Sequence, residues 1–158
     1  MSQIVLARVD DRLIHGQVMT AWLQFTGANH IVIIDDVTAN DEFLKSVMEM
    51  SIPRSIKFNI FNTDDGKNYL LKDQNQDKLL LLAKAPETYL KLIENGANIK
   101  KVIVGGMGAN KQRTKLYKNI SASESERETF RKIINHDIEV KVQIIPTDKA
   151  IDVAGLLK

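Results

Sequence analysis

Short runs of consecutive apolar, β-branched residues alternate along this chain with segments whose apolar residues recur every three or four positions. Residues 4–7, 30–34, 55–61, 78–83 and 101–104 read as strands. Between them lie amphipathic helices. Val18, Trp22 and Phe25 share one face after Gly16. Phe43, Val47 and Met50 share another, with Thr38 or Asn40 placed to cap that helix. Thr63 is placed to cap a short helix, and Pro86 and Gly96 bracket the next one, proline just inside its start and glycine just past its end. Beyond residue 104 the pattern loosens. Residues 105–116 read as a long loop and 116–120 as a short edge strand. Ser123 and Glu126 form a capping box for a helix carrying Phe130, Ile133 and Ile134. Residues 138–144 alternate apolar with polar, as a half-exposed strand near an edge does, and Pro146 ends them. Residues 147–157 are expected to form a terminal helix. Strand–helix alternation with continuous apolar strands predicts an α/β fold. That fold is a single doubly wound, mostly parallel sheet with helices on both faces and an edge strand able to run antiparallel. Residues 1–158 are expected to form one domain, with chemistry at the carboxyl ends of the strands.

Composition narrows the chemistry. Apolar residues make up 44% and charged residues 27%, with a net charge of only +2, so bulk charge does not point to nucleic acid. The longest apolar run, Leu79 to Ala83, is too short to cross a bilayer, and charged Arg8 and Asp10 follow the first residues at once, which leads us to expect a cytoplasmic protein. There is no cysteine, so disulfides, thiolate metal sites and cysteine nucleophiles are excluded. The three histidines, His15, His30 and His136, lack metal-ligand spacing, so no metal site is expected. Gly105, Gly106 and Gly108 fit neither nucleotide pattern, because the third dinucleotide glycine is missing and Lys111 is not followed by Ser or Thr. No cofactor is expected.

The densest polar cluster runs from Arg8 to Gln17, between the first strand and the first helix. It holds two arginines, two aspartates and a histidine. A helix starting after Gly16 directs its free N–H groups and positive end at this loop. A neutral imidazole is a competent nucleophile, and a guanidinium beside it stabilises a transferring phosphoryl group. His15 is thus the candidate nucleophile and Arg12, three residues earlier, the candidate stabiliser. Arg8 offers a second charge. Asp10 or Asp11 can orient Arg12 or hold an imidazole N–H. Gly16 allows close backbone approach; Gln17 follows it, and Asp36, at the end of the second strand, faces the same edge. A salt-bridged surface loop explains the spacing equally simply. Trp22 reads as core, His30 and His136 as structural, and the basic residues 100–101 and 111–118 as solvated faces.

The segment Arg8-Val9-Asp10-Asp11-Arg12-Leu13-Ile14-His15-Gly16-Gln17-Val18 resembles the signature of IIB components of the mannose/fructose/sorbose family of the sugar phosphotransferase system (PTS). Trp22 at its usual distance, Asp35-Asp36-Val37-Thr38-Ala39-Asn40-Asp41 and Val104-Gly105-Gly106-Met107 extend the likeness across nearly the whole chain. The resemblance implies a phosphotransferase that accepts a phosphoryl group from a phosphorylated IIA protein on His15, at Nδ1, with Arg12 stabilising it. It implies transfer onward to a sugar held by membrane IIC and IID subunits, without metal or nucleotide, and makes a homodimer possible. One departure is visible: Lys84-Ala85-Pro86 lacks the hydroxyl that many relatives carry before the proline. Two other functions compete: a non-catalytic phosphate- or phosphoprotein-sensing module using the same loop, and a nucleotide-dependent transferase, which the failed glycine patterns disfavour.

Overall fold

A computed structural model describes residues 2–72 and 75–158. Seven strands form one sheet. In chain order they are β1 (Gln3–Asp10), β2 (His30–Ile34), β3 (Lys57–Phe61), β4 (Lys78–Ala83), β5 (Lys101–Gly106), β8 (Glu139–Val142) and β9 (Ile151–Asp152). The spatial order is β3-β2-β4-β1-β5-β8-β9. All pairings are parallel except β8 with β9, so the predicted antiparallel edge exists. A separate hairpin pairs β6 (Thr114–Tyr117) with β7 (Ile120–Ala122).

Side chains alternate between two cores, as the pleat requires. On one face Val9, Leu81 and Val104 pack with Tyr89 of α5 (Pro86–Glu94), with Phe130 of α6 (Glu124–Asn135), and with Leu70 of α4 (Thr63–Lys72). On the other face Leu6, Ile33, Leu82 and Ile103 pack against Met19 and Trp22 of α1 (Gly16–Thr26), and Met48 of α3 (Glu42–Met50) lies against them. Helices therefore cover both faces, as the strand runs predicted.

Four local expectations are corrected. First, Thr38 and Asn40 cap nothing at α3. Asp41 does so, accepting from the Leu44 N–H, while Asp35 caps the short α2 (Asp36–Ala39). Second, Asn62 rather than Thr63 accepts from Asp65 at the start of α4. Third, residues 116–120 are not one edge strand. Lys118 turns the chain at φ 50 and makes them the tip of the β6–β7 hairpin. Fourth, residues 147–157 do not form one helix. They return as β9, which takes the sheet edge from β8, and only Val153–Leu156 (α7) is helical. Ile151 and Asp152 pair with the otherwise open edge of β8, and Asp152 then caps α7 by accepting from the Ala154 N–H.

Candidate functional site

The site grows from the carboxyl end of the central strand. β1 does not stop at Ala7; it continues to Asp10, so Arg8 and Asp10 belong to the sheet rather than to the loop. With Leu6 they face α1. Arg8 has only 1% of its side chain exposed and Asp10 none. The Arg8 guanidinium donates to the carbonyls of Gln143 (3.3 Å) and Ile144 (3.0 Å) and to the Asp10 carboxylate (3.2 Å), and lies over the Trp22 ring at 5.8 Å. Burial pulls its pKa down, with Asp10 opposing, yet arginine stays charged. A buried charge is tolerable only when paired in this way. Trp22 also donates from Nε1 to the Ile144 carbonyl, at 2.9 Å.

Gly105 makes room for this arrangement. It is the extra residue where β5 slips against β1, between the Val9–Val104 and Asp10–Gly106 pairs. A Cβ at Gly105 would overlap the Arg8 guanidinium, and one at Gly106 would press on the Asp10 carboxylate.

Asp10 is the hinge between floor and rim. One oxygen accepts from the Arg12 backbone N–H (2.9 Å) and from Nε (3.0 Å); the other accepts from Arg12 Nη2 (3.0 Å). Burial disfavours the Asp10 charge, but the Arg12 hydrogen bonds and the charges of Arg8 and Arg12 outweigh it and hold the carboxyl below its ordinary value. The same bidentate bond raises Arg12. Arg12 remains 46% exposed, and among the described residues Nη1 donates to no protein group. Leu13 then turns back at φ 59, a conformation costly to a branched side chain. Its side chain is buried among Met19 and Trp22, which holds the turn and brings His15 out to solvent.

His15 is the N-cap residue of α1, and its side chain makes no capping bond. Its carbonyl accepts from Met19 N–H, which leaves the N–H groups of Gly16, Gln17 and Val18 without helical partners. A cavity of about 300 Å³ opens here, lined by His15, Arg12, Asp11, the 105–108 turn, Asn119, Ile120 and Ile144.

The predicted residues therefore separate. His15 and Arg12 share the cavity. Asp10 lies beneath, orienting Arg12 and not the imidazole; Asp11 is also occupied elsewhere, so neither aspartate holds the ring. Arg8, expected to meet phosphate, does not line the cavity, because its donors are turned into the protein. Gly16 and Gln17 sit at the helix start outside the lining, and the space beside Gly16 is open. Asp36 is not at the cavity either; it accepts from the Thr63 N–H (2.7 Å) and hydroxyl (3.0 Å) and ties two strand ends together. Ala85 caps α5 without a side-chain bond and does not line the cavity. His30 is structural, between Asp77 and Asn59.

Sequence reasoning missed Arg113, placed among the solvated basic residues but only 11% exposed. It bridges Asp11 and Glu126, each at 2.9 Å. The capping box located Glu126 but could not show its second duty. Asn119, Ile120 and Ile144 carried no signal at all.

A family model described as the PTS system sorbose subfamily IIB component matches residues 4–158. The chain belongs to this IIB family. It is 31% identical to the N-acetylgalactosamine-specific phosphotransferase enzyme IIB component 2 of Escherichia coli, covering 99% of this chain and all of that protein. It is 30% identical to the fructose-specific EIIB component of Bacillus subtilis, covering 100% of this chain and 98% of that one. Its backbone matches the crystal structure of the IIB domain of the sorbose permease from Klebsiella pneumoniae with a TM-score of 0.93 at 26% identity, over 98% and 96% of the two chains. The IIB chain is thus a phosphotransferase component serving sugar transport. Among its described residues no helix is long and apolar enough to cross a membrane.

Proposed function

We propose that this IIB chain, acting as one domain in the cytoplasm, carries a phosphoryl group on His15 between a phosphorylated IIA protein and a sugar held by membrane IIC and IID subunits. The observation that carries the reading is that His15 and Arg12 line one cavity, the His15 ring and Arg12 Nη1 having no hydrogen-bond partner among the described residues. In the first step the imidazole nitrogen, Nδ1 by family resemblance, attacks phosphorus. The new N–P bond forms as the donor histidine's N–P bond breaks. In the second step a sugar hydroxyl attacks, its proton leaves to a base or solvent, and the electron pair of the breaking bond returns to His15. Arg12 spreads charge away from the phosphoryl oxygens in both. Asp10 keeps Arg12 aimed, and the open α1 N–H groups add partial positive charge. The relatives are named for different sugars, so the sugar is proposed only as a hexose, ketose or amino-sugar derivative.

Incubation with a phosphorylated IIA protein should add one phosphate to the intact mass. The adduct should be lost in acid and absent from His15→Ala. Stoichiometric binding without an adduct would favour the sensing module, and an adduct surviving in His15→Ala would move the acceptor elsewhere.

A further inference from the structure

We propose that Arg113 is a positioning residue of the phosphoryl pocket, one that offsets part of the charge of Asp11, through a guanidinium it shares with Glu126, so that the cavity can accept an anion. The inference rests on the His15 reading above. All five guanidinium N–H groups are engaged. Nε and Nη2 donate to the two oxygens of Glu126, each at 2.9 Å. Nη1 donates to Asp11 (2.9 Å) and to the Gly108 carbonyl (2.9 Å), and Nη2 also reaches Asp11 at 3.3 Å. Arg113 therefore has no donor left for a ligand, unlike Arg12. Asp11 lines the same cavity as His15 and receives the Gly108 N–H at 2.7 Å.

This carboxylate is misplaced for the chemistry unless something offsets it. A phosphoryl group brings about two negative charges to the pocket, and a bare carboxylate on the wall repels it. Asp11 is nevertheless useful, because it fastens the 106–108 turn to the loop that carries Arg12. Arg113 lets it keep that bond while its charge is partly compensated. Glu126 in turn holds Arg113 in place, itself anchored by accepting the Ser123 N–H at 2.9 Å. The pocket wall and the start of α6 are joined through one guanidinium.

The test is the transfer rate from a phosphorylated IIA protein, with folding followed by circular dichroism. Arg113→Ala should slow transfer by roughly 10- to 100-fold, the scale of losing a group that orients a reacting residue. Adding Asp11→Asn to it should recover much of the rate, since asparagine keeps an acceptor for Gly108 and drops the charge. Arg113→Lys should retain more rate than Arg113→Ala. If the alanine variant does not fold, Arg113→Gln removes the charge while keeping an amide donor. Normal transfer in a folded neutral variant overturns the inference, as does a loss that Asp11→Asn fails to lessen. Failure of both neutral variants to fold would make Arg113 a residue of the fold alone. Absence of transfer to the unaltered chain would instead overturn the His15 reading.

Discussion

Arg8 and Arg12 stand four residues apart, share Asp10 as a partner, and end in opposite surroundings. Arg8 is sealed against Trp22, with Nη1 donating to the carbonyls of Gln143 and Ile144 and Nη2 to Asp10. Arg12 is half exposed, braced on one edge by the same carboxylate and open on the other. In sequence both are candidates for a phosphate, Arg12 as the stabiliser and Arg8 as a second charge. Burial and partner count separate them: the inner arginine builds the floor, and the outer one lines the cavity. The comparison shows how a short motif can encode an exposed charged group and its buried support together.

Breaking the floor should have the largest effect. Asp10→Ala leaves Arg8 buried without its carboxylate and should destabilise the protein by about 3–5 kcal/mol, read by denaturant unfolding. A change below about 1 kcal/mol would mean that Arg8 is satisfied without Asp10. Two arginine-bound carboxylates, Asp10 and Glu126, set an acid dependence. Asp10 and Glu126 are held below their ordinary values in the folded state, by arginine bonds that outweigh burial. The unfolded chain therefore binds protons first as pH falls. Their stabilisation is complete above about pH 4–5, where free carboxyls are ionised, and drains away as pH drops through the lowered folded values. Asp10→Asn should flatten part of that acid-side fall in melting temperature.

The rim should respond in the other currency, rate rather than stability. Arg12→Ala should slow phosphoryl transfer by about 10²–10³-fold, as loss of one oriented donor does. The loss of stability should be smaller than for Asp10→Ala, about 1–2 kcal/mol, because the buried Asp10 carboxylate keeps Arg8 and the backbone N–H of residue 12. Arg12→Lys should not restore the full rate, since an ammonium cannot span both Asp10 oxygens and still face the cavity. Equal losses of stability at Arg12 and Asp10 would erase the distinction between floor and rim. The smallest effect is expected at Trp22→Phe. It removes the Nε1–H bond to Ile144, whose carbonyl keeps Arg8, and should cost about 0.5–1.5 kcal/mol.

The sheet was readable because its central strands β2, β4 and β5 are apolar runs, β8 alternates as an outer strand does, and the helices carry regular stripes. The His15–Arg12 pairing was readable because both sit in one short segment. The roles of Arg8 and Asp36 were not, since each depends on partners far along the chain: Gln143 and Ile144 for one, Thr63 for the other. Arg113 was hidden for the same reason. Its surroundings in sequence are basic and polar, and only the fold brings Asp11 and Glu126 to it. The β6–β7 hairpin was missed because its strands are too short to show alternation, and its turn uses Lys118 at positive φ rather than a glycine. Periodicity reports on extended packing faces; it carries nothing about a single side chain whose partner arrives from another element.

The most direct test of the account is the phosphorus NMR spectrum of the phosphorylated protein. It should show one phosphoramidate resonance that is absent from His15→Ala and displaced in Arg12→Ala, where the neighbouring guanidinium is gone. A phosphoester or acyl-phosphate resonance, or a phosphoramidate that persists without His15, would contradict it.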